Sequence, residues 1–144
     1  MSGLASVMSI VGIVAAAVLL LVYLKMRQKD QIGAMLEKRR SSAKLVSRAD
    51  YVEGAETIPV ALALTDDTFY YENPDMEASF DLNRIDEIEY SDELMTGKNH
   101  GDDCRVLRLR SHGTAFEFLV EKAESRKWET ALPARTLGAV AHAV

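Results

Sequence analysis

The chain has 144 residues, 48% of them hydrophobic, with a formal net charge of −5. That length suits one ordinary domain with an anchor and excludes two full domains. A single cysteine, Cys104, excludes an intramolecular disulfide, so the fold must rest on its own apolar core.

The charge is divided into three unlike segments. Residues 1–24 carry no charged side chain. Residues 25–48 hold eight basic side chains (Lys25, Arg27, Lys29, Lys38, Arg39, Arg40, Lys44 and Arg48) against Asp30 and Glu37, a net +6. From residue 49 onward nine basic residues face twenty acidic ones, a net −11.

Leu4 to Leu24 is a run of 21 uncharged residues. As a helix it spans about 31 Å, close to the hydrocarbon thickness of a bilayer. A cleaved signal peptide would place basic residues before a shorter apolar core, and none precede this run. The segment 1–24 therefore predicts an uncleaved transmembrane anchor. All eight basic flanking residues follow it, so the positive-inside rule predicts an outside N-terminus and a cytoplasmic domain, in a cell inner membrane or its equivalent. Ala5, Ser9, Gly12 and Ala16 form a small-residue face on which another membrane helix can pack closely.

Residues 25–43 predict a basic juxtamembrane helix and linker, breaking at Ser41-Ser42. Ile32, Met35 and Leu36 make a short apolar stripe within it. Two readings stand for Lys25, Arg27, Lys29, Lys38, Arg39 and Arg40: they lie on anionic headgroups, or they only fix topology.

Beyond Leu45 the period changes from helical to alternating. Ile58, Val60, Leu62 and Leu64 predict a half-buried strand, followed by the turn Thr65–Thr68 and an aromatic strand, Phe69-Tyr70-Tyr71, that stops at Asn73-Pro74-Asp75. Phe80 with Leu82 predicts a third strand, and Ile85, Ile88 and Tyr90 a fourth. Residues 91–103 predict a long polar loop. Arg105–Arg110 and Ala115–Val120 predict a hairpin about Ser111-His112-Gly113, with Phe116, Phe118 and Val120 facing inward. A helix from about Lys122 to Leu132 ends at Pro133, with Trp128, Ala131 and Leu132 on one face.

The segments ALALTDDTFYYENP, FDLNRIDEIEY, VLRLRSHGTAFEFLV and KAESRKWETAL resemble the pleckstrin-homology-like superfold, closest to its GRAM and bacterial branches. The matching features are Leu64-Thr65, the aromatic strand, Leu82 to Ile85, and the helical Trp128. The resemblance implies an α+β domain over 44–133, a small β-barrel or sandwich capped by its C-terminal helix, that binds rather than catalyses. Phosphoinositide-binding members carry basic residues in their first two strands. Asp50, Glu53 and Glu56 stand in that region here, so the pattern disfavours a phosphorylated headgroup. Nucleic acid is disfavoured on the same ground.

No catalytic or metal signature occurs, and no cofactor is implied. His100, Asp102, Asp103 and Cys104 are the nearest approach to a ligand cluster, without a second ligand pair at suitable spacing. Arg108 and Arg110 share a strand face; they serve either cross-strand pairing with Glu117 or docking of an acidic partner. The tail 134–144 is apolar apart from Arg135, and either packs on its own domain or docks on a neighbour. Together these features predict a non-catalytic single-pass accessory or assembly subunit with membrane-protein partners. The alternative is a tethered module that recruits a cytoplasmic protein or a lipid.

Overall fold

The structure, a computed structural model, describes residues 2–97 and 100–136. Helix α1 runs Ser2–Arg40, and its residues belong to two compact units, Met1–Gln31 and Ile32–Val144. In the first unit the helix is long and apolar enough to cross a membrane, and none of its apolar window is buried within the chain.

The second unit is a seven-stranded antiparallel sheet with a C-terminal helix, an α+β architecture. Its strands are β1 (Leu45–Glu53), β2 (Glu56–Leu64), β3 (Thr68–Asn73), β4 (Met76–Asp81), β5 (Glu87–Ser91), β6 (Cys104–Ser111) and β7 (Thr114–Glu121). Helix α2 covers Lys122–Ala131. The order across the sheet is β4-β3-β2-β1-β7-β6-β5, so β1 joins its two halves. β1 pairs along its whole length with β2 and, through Asp50–Val52, with β7.

Turn chemistry sets the register. Gly54 takes φ +61° at the first central position between β1 and β2. His112 and Gly113 take φ 52° and 78° between β6 and β7, the two positive values of a type I′ hairpin turn.

Alternation then sends one face of every strand into a single core. Val60, Leu62 and Leu64 of β2, Phe69 of β3, Leu107 and Leu109 of β6, and Phe118 and Val120 of β7 are all buried there. The sheet bends around this core. Phe80 of β4 meets Phe116 of β7 with ring centroids 4.7 Å apart, although those strands are not neighbours. Trp128 of α2 is 0% exposed, lies 5.7 Å from Phe69, and donates its indole N–H to Ser47 Oγ at 2.7 Å. Burying a side chain of that size contributes about 3 kcal/mol, and the hydrogen bond satisfies its polar end.

Three boundaries differ from the sequence reading. The third strand ends at Asp81, because Leu82–Arg84 turn into a 3-10 helix capped by the Asp81 side chain. Ile85 lies outside β5 yet is buried. The compact domain begins at Ile32 rather than at Lys44.

Candidate functional site

The last turns of α1 lie against the outer face of the sheet. Ile32 and Leu36, 2% and 8% exposed, cluster with Ala61, and Met35 and Val46 pack around them. The predicted apolar stripe therefore meets protein and not headgroups. It fits because β2 carries Ala61 and Ala63 outward, leaving room for a helix.

Arg39 fixes the junction. It donates Nε to Glu72 Oε1 at 2.8 Å and Nη2 to Glu72 Oε2 at 3.2 Å, and its guanidinium lies 4.1 Å from the Tyr70 ring centre. The hydrogen bond to Glu72 pushes the Arg39 pKa further up, against the opposing effect of burial. A bidentate pair with a stacked ring is among the stronger arrangements available to arginine. The charge of Arg39, grouped above with the membrane-surface residues, is thus matched within the domain. Lys25, Arg27, Lys29, Lys38 and Arg40 are exposed. Beside the junction, Met35, Lys38, Asn73, Pro74 and Glu77 line a groove of about 310 Å³.

Arg108 is also buried, on the outer face of the sheet. Its Nη1 donates to Glu89 at 2.8 Å and its Nη2 to Glu117 at 3.0 Å and to the Glu93 carbonyl at 2.9 Å. Burial opposes the charge, but the bonds to Glu89 and Glu117 raise the Arg108 pKa on balance. The expected pairing with Glu117 is present, and Arg108 is 6% exposed, so it offers no surface to a partner. Arg110 is more open and lies 3.2 Å from Glu87.

The same network straps the loop after β5 onto the sheet. Glu117 accepts from Met95 N–H at 3.1 Å, and Leu94 is buried with Val106 and Leu119. Sequence reasoning missed this strap; its one signal was a lone leucine in a polar loop. Arg105 ties the strap and α2 together through Asp92 at 3.5 Å and a close pair with Glu129.

His100 Nε2 lies 2.6 Å from the Asp92 carbonyl, and among the described residues no three His, Cys, Asp or Glu side chains converge as metal ligands. Burial, with Asp50 nearby, pushes the Cys104 thiol up, away from a reactive thiolate. Burial also raises the Asp50 carboxyl.

Ser9 Oγ donates back to the Ala5 carbonyl at 2.9 Å, and the space around Gly12 is open, so among the described residues nothing packs on the small-residue face there. At the other terminus Arg135 bridges to Ile88 through two 2.9 Å backbone bonds, and its side chain donates to the Leu82 and Ile85 carbonyls. The start of the predicted tail thus packs on its own domain at the free edge of β5. Residues 137–144 lie outside the described residues.

Comparison with known proteins gives no match to a family model, to a curated protein or to a solved structure.

Proposed function

We propose that the protein is a non-catalytic, single-pass membrane protein, an accessory or assembly subunit of a larger membrane complex. Its folded domain, read as pleckstrin-homology-like, serves as a cytoplasmic interaction surface. The observation that carries this reading is the apolar part of α1, whose side chains from Leu4 to Leu24 are all exposed within the chain. Such a surface needs lipid or another helix as its surroundings. The small-residue face Ala5, Ser9, Gly12 and Ala16 supports a helical partner. The order of strands followed by a helix with a buried tryptophan supports the superfold reading.

The link between the anchor and the domain also bears on this role. Only residues 25–31 separate Leu24 from the first packed residue, Ile32. Seven residues reach at most about 25 Å even when fully extended. A domain so tethered works on partners at the membrane surface and not deep in the cytosol.

The test is gentle detergent extraction from native membranes, followed by sizing and identification of co-purifying chains. A large particle of fixed composition that loses this chain on Gly12→Leu with Ala16→Leu supports the accessory role. A lone chain of 16.0 kDa overturns it in favour of the tethered recruiting module. The exposed Lys25, Arg27 and Lys29 favour that second reading, through contact with anionic lipid.

A further inference from the structure

β4 ends the sheet, and its hydrogen-bonding parity leaves a row of backbone groups open. The β3–β4 turn has two residues, Pro74 and Asp75, between the paired Asn73 and Met76. In such a hairpin the flanking pair exchanges both backbone bonds, and the bonded pairs then recur at every second residue. Met76, Ala78 and Phe80 therefore bond to β3. Leu82 N–H, donating to the Asp67 carbonyl at 2.9 Å, continues the same parity. The N–H and C=O groups of Glu77, Ser79 and Asp81 point away from the sheet. Among the described residues no strand pairs with that edge.

The side chains beside this edge select what can pair with it. Glu77, Ser79 and Asp81 are exposed on the outer face, and Met76, Ala78 and Phe80 are half-buried on the inner one. Alongside runs a groove of about 600 Å³, with Phe80 and Phe116 in its lining and Arg84 and His112 on its walls. Glu77 is 3.6 Å from Arg39 but keeps 78% of its side chain exposed.

A second copy of the chain is a poor occupant. Antiparallel self-pairing about Ser79 sets Glu77 opposite Asp81 twice, and parallel pairing in register opposes each to its own kind. Like charges directly across strands are destabilising. Residues 137–144 contain no lysine or arginine to match the two carboxylates.

From this geometry we infer that β4 accepts an extended segment of a partner protein as an added strand. The segment carries basic side chains four residues apart, facing Glu77 and Asp81, and apolar side chains at the two positions between them that enter the groove. This inference does not depend on α1 crossing a membrane.

The probe is a labelled heptapeptide with lysine at positions two and six, valine at three and five, and threonine elsewhere. Its binding to the full chain in detergent micelles is read by fluorescence anisotropy. A control peptide replaces both lysines with glutamate. The lysine peptide is expected to bind at least about tenfold more tightly than the control. Ser79→Pro removes an outward N–H without touching the ladder to β3, and is expected to weaken binding by about tenfold. Glu77→Lys with Asp81→Lys is expected to reverse the peptide preference, and it carries the test should Ser79→Pro fail to fold by Trp128 emission. Equal binding of both peptides, or no binding, overturns the inference. So does binding retained in a folded Ser79→Pro chain, or binding that emerges only when residues 137–144 are removed.

Discussion

Replacing Arg108 tests whether the sheet's outer face is held by a buried ion pair. Arg108→Met keeps the stem of the side chain and deletes the guanidinium. Glu117, whose side chain is 9% exposed, then loses its charged partner and keeps the Met95 N–H as a donor. Breaking a buried pair from one side costs about 3–5 kcal/mol, because an uncompensated charge remains. Glu89, with 43% of its side chain exposed, recovers water and adds little. At a urea m-value of about 2 kcal/mol/M, the loss moves the unfolding midpoint by about 1.5–2.5 M. Trp128, the one tryptophan and fully buried, reports that midpoint by its fluorescence. Adding Glu117→Leu removes the stranded carboxylate and should recover most of the loss. The remaining deficit comes from the Met95 N–H and the Glu93 carbonyl, at about 1 kcal/mol each. A single-variant cost below about 1 kcal/mol refutes the reasoning. So does a double variant as unstable as the two singles combined, since both depend on the pair acting as one unit.

Four further outcomes are expected. Ser47→Ala strands the buried Trp128 N–H and should cost about 1–3 kcal/mol, yet be nearly neutral in a Trp128→Phe background; the same urea titrations give the cycle. Burial raises the Asp50 carboxyl in the folded state, so its ionisation opposes folding once pH exceeds the ordinary value of 3.8. Asp50→Asn should therefore stabilise the domain at pH 7, with the gain fading as pH falls through the raised folded value and gone below 3.8, as midpoints measured across pH will show. The same change removes a charge that holds the Cys104 thiol up, so alkylation of Cys104 should accelerate at fixed pH. Gly33→Ala places a methyl 3.1 Å from Arg48 Nη2, the movable end of a long side chain. Its helix propensity should then dominate, for a gain of about 0.5–1 kcal/mol in thermal or urea unfolding.

Period-two alternation made β2, β6 and β7 readable because their inner faces are apolar at their centres and their turns carry Gly or Asp. β1 was poorly marked for a physical reason. Its inner face includes Ser47, which is polar because Trp128 needs an acceptor, while its outer face includes Val46, apolar because α1 covers it. The Ile32, Met35 and Leu36 stripe was visible, but its partner was not, since Ala61 advertises nothing from the sequence. Pairing of Arg108 with Glu117 followed from strand order across one short turn. Its bonds to Glu89 and to the strap depend on a loop path that no local pattern encodes. Arg135 read as a lone charge in an apolar tail, whereas its donors complete carbonyls left open around the Leu82–Arg84 turn.

Because Ile32–Arg40 pack as part of the folded domain, the safe place to cut this protein is not where the charge pattern changes. Cleavage near Ser41–Ala43 would release a sheet with Ala61 and Val46 bared and the Glu72 carboxylate stripped of Arg39. A shed fragment of that kind would be sticky and short-lived. A cut between Lys25 and Gln31 would free a domain with its outer face still covered. The chain thus has one stretch where a protease detaches the domain intact, and another, a few residues on, where it damages it.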